Sequence, residues 1–516
     1  MGSSIRKHRD GGLPRFAPML AVFAVVAVAL LSGGSALATT YNPATDMNSM
    51  YNTAKYTGAE AWCNAGYTGA GIDVAVIDTG VSPVQGLATP GKIIYGPDLS
   101  LESQAPNLRN LDTNGHGTFM AGLIAGKDSN LTVPYANAPA TAYRGIAPDA
   151  RIVSIKVGVA DGGVDVSQVI AGIYWVIEHK NDNGLNIRVL NLSYGTNSAQ
   201  SYLVDPLAYA VEQAWEAGIV VVAAAGNTGY QRGSDAPGLA SPAADPFVIG
   251  VGGSDSMGTA SISDDRVGDY SASSAACGSQ CKNPDFLAPG SHIQGLRVPN
   301  SFVDTNHPQG RIDGRYFRGS GTSQSAAIVS GAVALVLQKH PTATPDQVKR
   351  MFRDQAKKLG GFDTQAQGAG EIVLSKMLPK APSKFTQNFV PSTGTGSLEL
   401  SRGHDRISRD GVALTGEKDI FGRTFNSAQV AAMAASGSTW SGGIWNGSPW
   451  SGSTWSGSTW SGSTWSGSTW SGSTWSGSTW SGSTWSGSTW SGSTWSGSSW
   501  SGSSWSGDSW ATGSWN

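Results

Sequence analysis

Between about residue 60 and residue 378, short runs of apolar, largely β-branched residues alternate with longer stretches whose apolar positions recur every three or four residues. The runs at 72–77, 152–157, 187–192, 219–225 and 247–251 are almost continuous in Val, Ile, Leu and Ala. Strands buried on both faces read this way, because neither side of the pleat meets water. Residues 166–179 instead place Ile170, Ile173, Tyr174 and Ile177 on one helical face, and 206–217 has a similar pattern. This alternation predicts an α/β fold, a mostly parallel sheet with helices on both faces. The longest helical pattern starts near Thr322, runs through Ala326, Val329, Val333, Leu335 and Leu337 to Lys339, and is stopped by Pro341. Residues 345–359 predict one more helix.

Outside this region the pattern changes three times. The chain starts basic (Arg6, Lys7, Arg9, Arg15), turns apolar from Met19 to Leu31, and continues as Ser35-Ala36-Leu37-Ala38. That is the layout of a secretory signal peptide over residues 1–38, cleaved after Ala38. The alternative is a membrane anchor, but the apolar run is shorter than the ~20 residues a spanning helix needs. Residues 39–60 then read as a short, removable N-terminal arm. After about 380, Pro, Ser, Thr and Gly increase and periodic apolar runs thin out, so 381–438 reads as a linker or a small irregular module. From 439 to 516 the chain repeats Ser-Gly-Ser-Thr-Trp, with Trp at every fifth residue from Trp440 to Trp515. Three readings of this tail are open: a flexible low-complexity segment, an array whose rings stack on cell-wall polysaccharide, and a repetitive β-coil. An inward Trp in every unit would overfill a close-packed coil.

Composition narrows the function classes. Formal net charge is −2 and 14% of residues are charged, so nothing provides a phosphate-tracking surface and nucleic acid is not an expected partner. The cysteines are Cys63, Cys277 and Cys281. Export permits disulfides. Cys277 and Cys281 enclose three residues in a loop-like context and are the candidate pair, which leaves Cys63 over. A metal site or a reactive thiol has little support, because no His lies near and no paired Cys spacing occurs.

Open parallel sheets carry their working residues at the carboxyl ends of strands. Asp78 ends the run Val74-Ala75-Val76-Ile77, and Asn227 follows the run that ends Ala224-Ala225-Gly226. His116 lies between two glycines in Asn114-Gly115-His116-Gly117-Thr118, just before a helical run. Ser323 sits in Gly319-Ser320-Gly321-Thr322-Ser323, at the N-terminus of the longest helical pattern. A helix start favours negative charge on or near that hydroxyl. A serine hydroxyl becomes a nucleophile only beside a base, and the base needs an orienting group. Taken singly, each motif is more often a turn or a cap. An Asp, a His and a Ser in succession, each in a small-residue turn joined to a core element, are far less often accidental.

These motifs resemble the subtilisin family of serine peptidases. Val76-Ile77-Asp78-Thr79-Gly80 resembles the family's aspartate motif, and Asn114-Gly115-His116-Gly117-Thr118 its histidine motif. Gly321-Thr322-Ser323-Gln324-Ser325-Ala326 resembles the serine motif, and Ala224-Ala225-Gly226-Asn227 the oxyanion segment. The order Asp, His, Ser is the one known for subtilisin. The resemblance covers roughly residues 58 to 360 and implies a secreted serine endopeptidase domain over 61–380, acting on polypeptides as a monomer. It implies Asp78, His116 and Ser323 as the catalytic triad and Asn227 as an oxyanion donor. It also implies substrate-pairing segments at Ser193-Tyr194-Gly195 and Gly162-Gly163-Val164, and a specificity pocket lined by Ala224, Ala225 and Gly226. No cofactor is required for the chemistry. A structural calcium ion is common in the family, yet no compact run of spaced Asp or Asn marks a site, and the metal ligands stay unknown. Two departures stand out. Gln324 follows the serine where the family usually has Met, and Ala327 stands where a Pro is usual. Only about forty residues separate the predicted cleavage point from Asp78, too few for the folding propeptide that many relatives carry. A reading from another class is an inactive peptidase-like scaffold that works as a wall-binding protein through its Trp-rich tail. Such a scaffold has no reason to keep four competent residues together.

Overall fold

The computed structural model describes residues 41–105, 107–230, 238–274, 281–404, 406–409, 412–441 and 444–449, with two-residue strands at Thr479–Trp480 and Thr494–Trp495. Cys277, the predicted signal segment and nearly all of the repeat tail lie outside the described residues.

The apolar runs form the centre of one sheet. Its strands are β1 (Asp73–Asp78), β2 (Ile93–Asp98), β3 (Arg151–Lys156), β4 (Ile187–Leu192), β5 (Val220–Ala224), β6 (Ile249–Asp255), β7 (Arg266–Val267) and β8 (Phe286–Pro289). The order is β2-β3-β1-β4-β5-β6, all parallel, with β7 added antiparallel and β8 parallel to β6. β1 and β5 are buried at every position, as their uninterrupted Val, Ala and Ile require. The chain passes from β3 on one side of β1 to β4 on the other. Asp78, at the carboxyl end of β1, therefore lies where the strand order reverses, the usual crevice of open parallel sheets. A separate antiparallel pair joins β9 (Ile293–Leu296) to β10 (Tyr316–Gly319).

Helices cover the sheet. Among them are α1 (Met50–Tyr56), α2 (Ala59–Asn64), α3 (His116–Ala125), α4 (Val166–His179), α5 (Pro206–Glu216), α6 (Thr322–Lys339), α7 (Pro345–Gln355), α8 (Leu398–Ser401) and α9 (Ser427–Ala435). α3 and α6 are buried almost along their whole length, so their patterns are apolar all round. α4 is set by a capping box in which Asp165 accepts from its first turn while Gln168 Oε1 accepts from the Asp165 N–H at 2.7 Å. α7 is shorter than its sequence pattern predicts. At Lys357 the chain turns extended and exchanges two 2.8 Å backbone hydrogen bonds with Glu371, which compete with a further helical turn.

Two segments expected to stand apart are built into the domain. The described part of residues 39–60, read as a removable arm, holds α1 and the first two residues of α2, with Met50, Ala54 and Ala59 buried. The Met50 N–H donates to Gln294 Oε1 at 2.8 Å, and just beyond, fully buried Trp62 donates through Nε1 to Leu374 O at 2.8 Å. Residues 381–438, read as linker or small module, run as a strap across the helical face over α5 and α4. Gln387 N donates to Asp346 Oδ2, Ser392 N to Glu212 Oε2, Thr393 N to Leu203 O and Gly396 N to Val204 O, all at 2.7–3.0 Å. The first repeat residues follow it: Trp440 Nε1 donates to Ala171 O at 3.2 Å on α4, and Trp445 is buried against Phe425.

Cys281 is disulfide-bonded, whereas Cys63 is a buried free thiol. Burial pushes Cys63 up to about 12, which makes it a packing residue and not a reactive one. No described helix is long and apolar enough to cross a membrane.

Candidate active site

Three elements bring the predicted catalytic side chains to one point. Asp78 ends β1, His116 opens α3, and Ser323 is the second residue of α6. His116 Nδ1 lies 2.8 Å from Asp78 Oδ1, and His116 Nε2 lies 3.1 Å from Ser323 Oγ. All three residues are at most 1% exposed. The close approach of α3 to β1 depends on Gly117: a Cβ there would lie 2.2 Å from Gly80 O and 3.0 Å from Asp78 Oδ1.

The network behind the pair runs through a residue that the motif reading passed over. Asp112, four positions before His116 and 2% exposed, accepts from the Gly115 N–H at 2.7 Å, the Thr118 N–H at 2.7 Å and the Thr79 hydroxyl at 2.8 Å. The Thr79 hydroxyl oxygen in turn accepts from the Gly117 N–H at 2.9 Å. Asp112 thereby ties the aspartate motif to the histidine motif. Burial pushes its carboxyl up, opposed by these hydrogen bonds. The only sequence signal was an acidic residue within a turn, which is common.

Asn227, at the end of β5, is placed by Thr322. The Thr322 N–H and hydroxyl donate to Asn227 Oδ1 at 3.0 and 3.2 Å, which leaves the Asn227 Nδ2 donor buried and without a protein partner. A donor fixed through its own carbonyl and left unpaired beside a serine suits an oxygen that gains charge only during reaction. Gln324 is also fully buried, and neither of its amide atoms has a partner. Despite this departure α6 still begins at Thr322.

The predicted substrate segments lie around this centre. Ser193-Tyr194-Gly195 leaves β4, and the Ser193 C=O accepts from Ser323 Oγ at 3.1 Å while its hydroxyl donates to Ser323 O at 3.2 Å. Ala224, Ala225 and Gly226 close β5, where the Gly226 N–H donates to Thr322 Oγ1 at 3.1 Å and the Ala240 N–H to Ala225 O at 2.9 Å. Gly162 and Gly163 lie in the turn that leaves β3, on the opposite side of β1 from β4. Glu102 Oε1 accepts from the Ala160 N–H of this turn at 3.0 Å, and Asn114 Nδ2 donates to Ala160 O at 2.8 Å. Asp161 Oδ1 accepts from the Gly163 N–H at 3.0 Å. Burial, with Glu102 nearby, raises the Asp161 carboxyl to about 6. Among the described residues no group of three or more His, Cys, Asp or Glu side chains could hold a metal ion.

The chain is similar to known proteins. The model of the subtilase family matches residues 69–370. Serine protease AprX of Bacillus subtilis is 37% identical over 315 residues, 60% of this chain and 67% of that protein. Subtilisin DY of Bacillus licheniformis is 32% identical over 296 residues, 57% of this chain and 87% of that protein. The crystal structure of fervidolysin from Fervidobacterium pennivorans, a keratinolytic enzyme related to subtilisin, aligns at a TM-score of 0.45 and 27% identity, covering 61% of this chain and 43% of that one. With more than half of its length matched by the family model, the chain belongs to the subtilase family and is a serine peptidase, a hydrolase.

Proposed function

We propose that this protein is an exported endopeptidase that cleaves polypeptides through an acyl-enzyme formed on Ser323. The observation that carries the reading is the single imidazole of His116 bridging Asp78 at 2.8 Å and Ser323 at 3.1 Å. Ser323 Oγ attacks the scissile carbonyl carbon as its proton passes to His116 Nε2. Asp78 holds the Nδ1–H and stabilises the imidazolium that results. The carbonyl oxygen, now anionic, takes hydrogen bonds from Asn227 Nδ2 and the Ser323 N–H. Collapse breaks the C–N bond, the departing amine takes the His116 proton, and an ester remains on Ser323. Water, deprotonated by His116, then attacks the ester carbon; the bond from that carbon to Ser323 Oγ breaks, Oγ takes the proton back from His116, and the acid is released. The loops around Ser193–Gly195 and Gly162–Gly163 receive substrate backbone as added strands, and Ala224-Ala225-Gly226 forms part of the primary pocket.

Export rests on the basic, apolar and small-residue succession of residues 1–38, and tail contact with cell wall on the tryptophan repeat. The catalytic reading is tested by casein hydrolysis with the purified protein and its Ser323→Ala variant. The expected loss in kcat is on the order of 10⁶-fold, the size measured for the nucleophile of subtilisin itself. If the folded parent leaves casein intact, the reading gives way to a binding protein on a peptidase scaffold.

A further inference from the structure

The strap makes one connection in which none of the groups proposed for peptide hydrolysis takes part. α8 lies between α4 and α5, and the residues at its end reach two loops at once. On one side, Arg402 Nε donates to Asp165 Oδ2 at 2.6 Å and Nη2 to Asp165 Oδ1 at 3.4 Å. Arg402 and Asp165 are 1% and 2% exposed. Asp165 caps α4 and directly follows Gly162-Gly163-Val164. On the other side, the Ser401 C=O accepts from the Thr196 hydroxyl at 2.6 Å, and the Leu400 C=O from the Ala199 N–H at 3.1 Å. Thr196 directly follows Ser193-Tyr194-Gly195. Gly403 completes the contact: a Cβ at that residue would lie 2.3 Å from Asn197 O, so the strap backbone runs against the second loop.

The rest of the Arg402 guanidinium is satisfied by the strap itself. Nη1 donates to Gly416 O at 2.7 Å and Glu399 Oε2 at 3.1 Å, and Nη2 donates to Lys418 O. A fork bonded on every side holds both its own segment and its carboxylate in one geometry. A buried pair of this kind adds little net stability over apolar packing of the same shape. Its distinctive property here is position. Residues 401–403 span the loop leaving β3 and the loop leaving β4, which lie on either side of β1.

We propose that residues 401–403 form a clamp that sets the spacing between the two substrate-receiving loops, with Arg402 as a positioning residue for extended polypeptide. The proposal rests on those loops being the substrate-binding edges. Backbone pairing on both flanks of an inserted strand requires them at a fixed separation. A short substrate that occupies only the catalytic centre does not require it.

The test compares the full-length protein with Arg402→Met, Arg402→Lys and Thr196→Val. Each is assayed on a tetrapeptidyl p-nitroanilide and on an N-acetyl single-residue ester with the same residue at the cleaved position. The parent should favour the long substrate. Arg402→Met should lose about tenfold or more in kcat/KM on the long substrate, chiefly through KM, and less than about twofold on the ester. Arg402→Lys should recover part of the loss, and Thr196→Val should lose about threefold in the same sense. Equal losses on both substrates, or an unchanged long-to-short ratio, would overturn the clamp. If Arg402→Met fails to fold, the ratio in Thr196→Val decides. A parent indifferent to length would instead remove the edge reading beneath the proposal, an outcome visible before any variant is made.

Discussion

At the scale of single residues, the chemistry depends on groups whose partners are already chosen. Asn227 spends its carbonyl on Thr322 and keeps its amide N–H free. Asn227→Leu should therefore lower kcat by about 10²–10³, the loss found when the oxyanion-hole asparagine of subtilisin is removed. Gln324 is the opposite case, a buried amide with no partner at either end. An unsatisfied buried polar group costs about 1–3 kcal/mol, so Gln324→Met, nearly the same in shape, should raise the melting temperature in calorimetry. Asp161 carries a pH signature. Its folded carboxyl titrates at about 6 because of burial, above its ordinary value of 3.8. Between those values the folded protein binds more protons than the unfolded chain. The contribution is thus present in full at lower pH and lost as pH rises through 6. Stability curves by chemical denaturation should show a smaller fall in Asp161→Asn than in the parent. The meeting of Asp78, His116 and Ser323 was legible in the sequence because each motif packs small residues around one functional group. Asp112 was not, since its role comes from three hydrogen bonds that only the fold brings together.

At the scale of elements, agreement follows the amount of burial. The strand predicted at 187–192 and the helices predicted at 166–179 and 322–339 have the observed bounds, because each is set by an apolar pattern or a cap of its own. β2 escaped notice. Its sequence Ile-Ile-Tyr-Gly-Pro-Asp is only partly buried along most of its length at the sheet edge, where no alternation is enforced. α1 and α2 escaped too, since helices of seven and six residues complete too few turns to show a period. Met50, buried within residues 39–60, makes the point testable. Met50→Ala should cost about 2–5 kcal/mol, read by denaturant unfolding, if this segment is core. An arm that detaches would lose almost nothing.

At the scale of the whole molecule, the family domain and the segment after it behave as one described body. Residues 381–438 are rich in Pro, Ser, Thr and Gly and read as a linker or a small irregular module, yet backbone N–H groups within them donate to Leu203, Val204, Glu212 and Asp346. Such docking leaves no apolar period in the sequence, which is why composition alone did not choose between linker and module. The buried pair Glu212 and Asp245 lies beneath this strap, and burial pushes both carboxyls up. The folded state then holds protons that the unfolded chain releases. Attachment of the strap should accordingly weaken as pH rises from the acid range towards alkaline pH, visible as faster amide exchange at residues 387–396 relative to a Glu212→Gln control.

The central claim is that Ser323 is a nucleophile activated by His116. It is tested most directly by treating the full-length protein with a fluorophosphonate and mapping the modified residue by mass spectrometry. The account predicts one phosphonyl group per chain, on Ser323, with labelling slowed by several orders of magnitude in His116→Ala. A folded protein that stays unlabelled, or that carries the group on another residue, would contradict it.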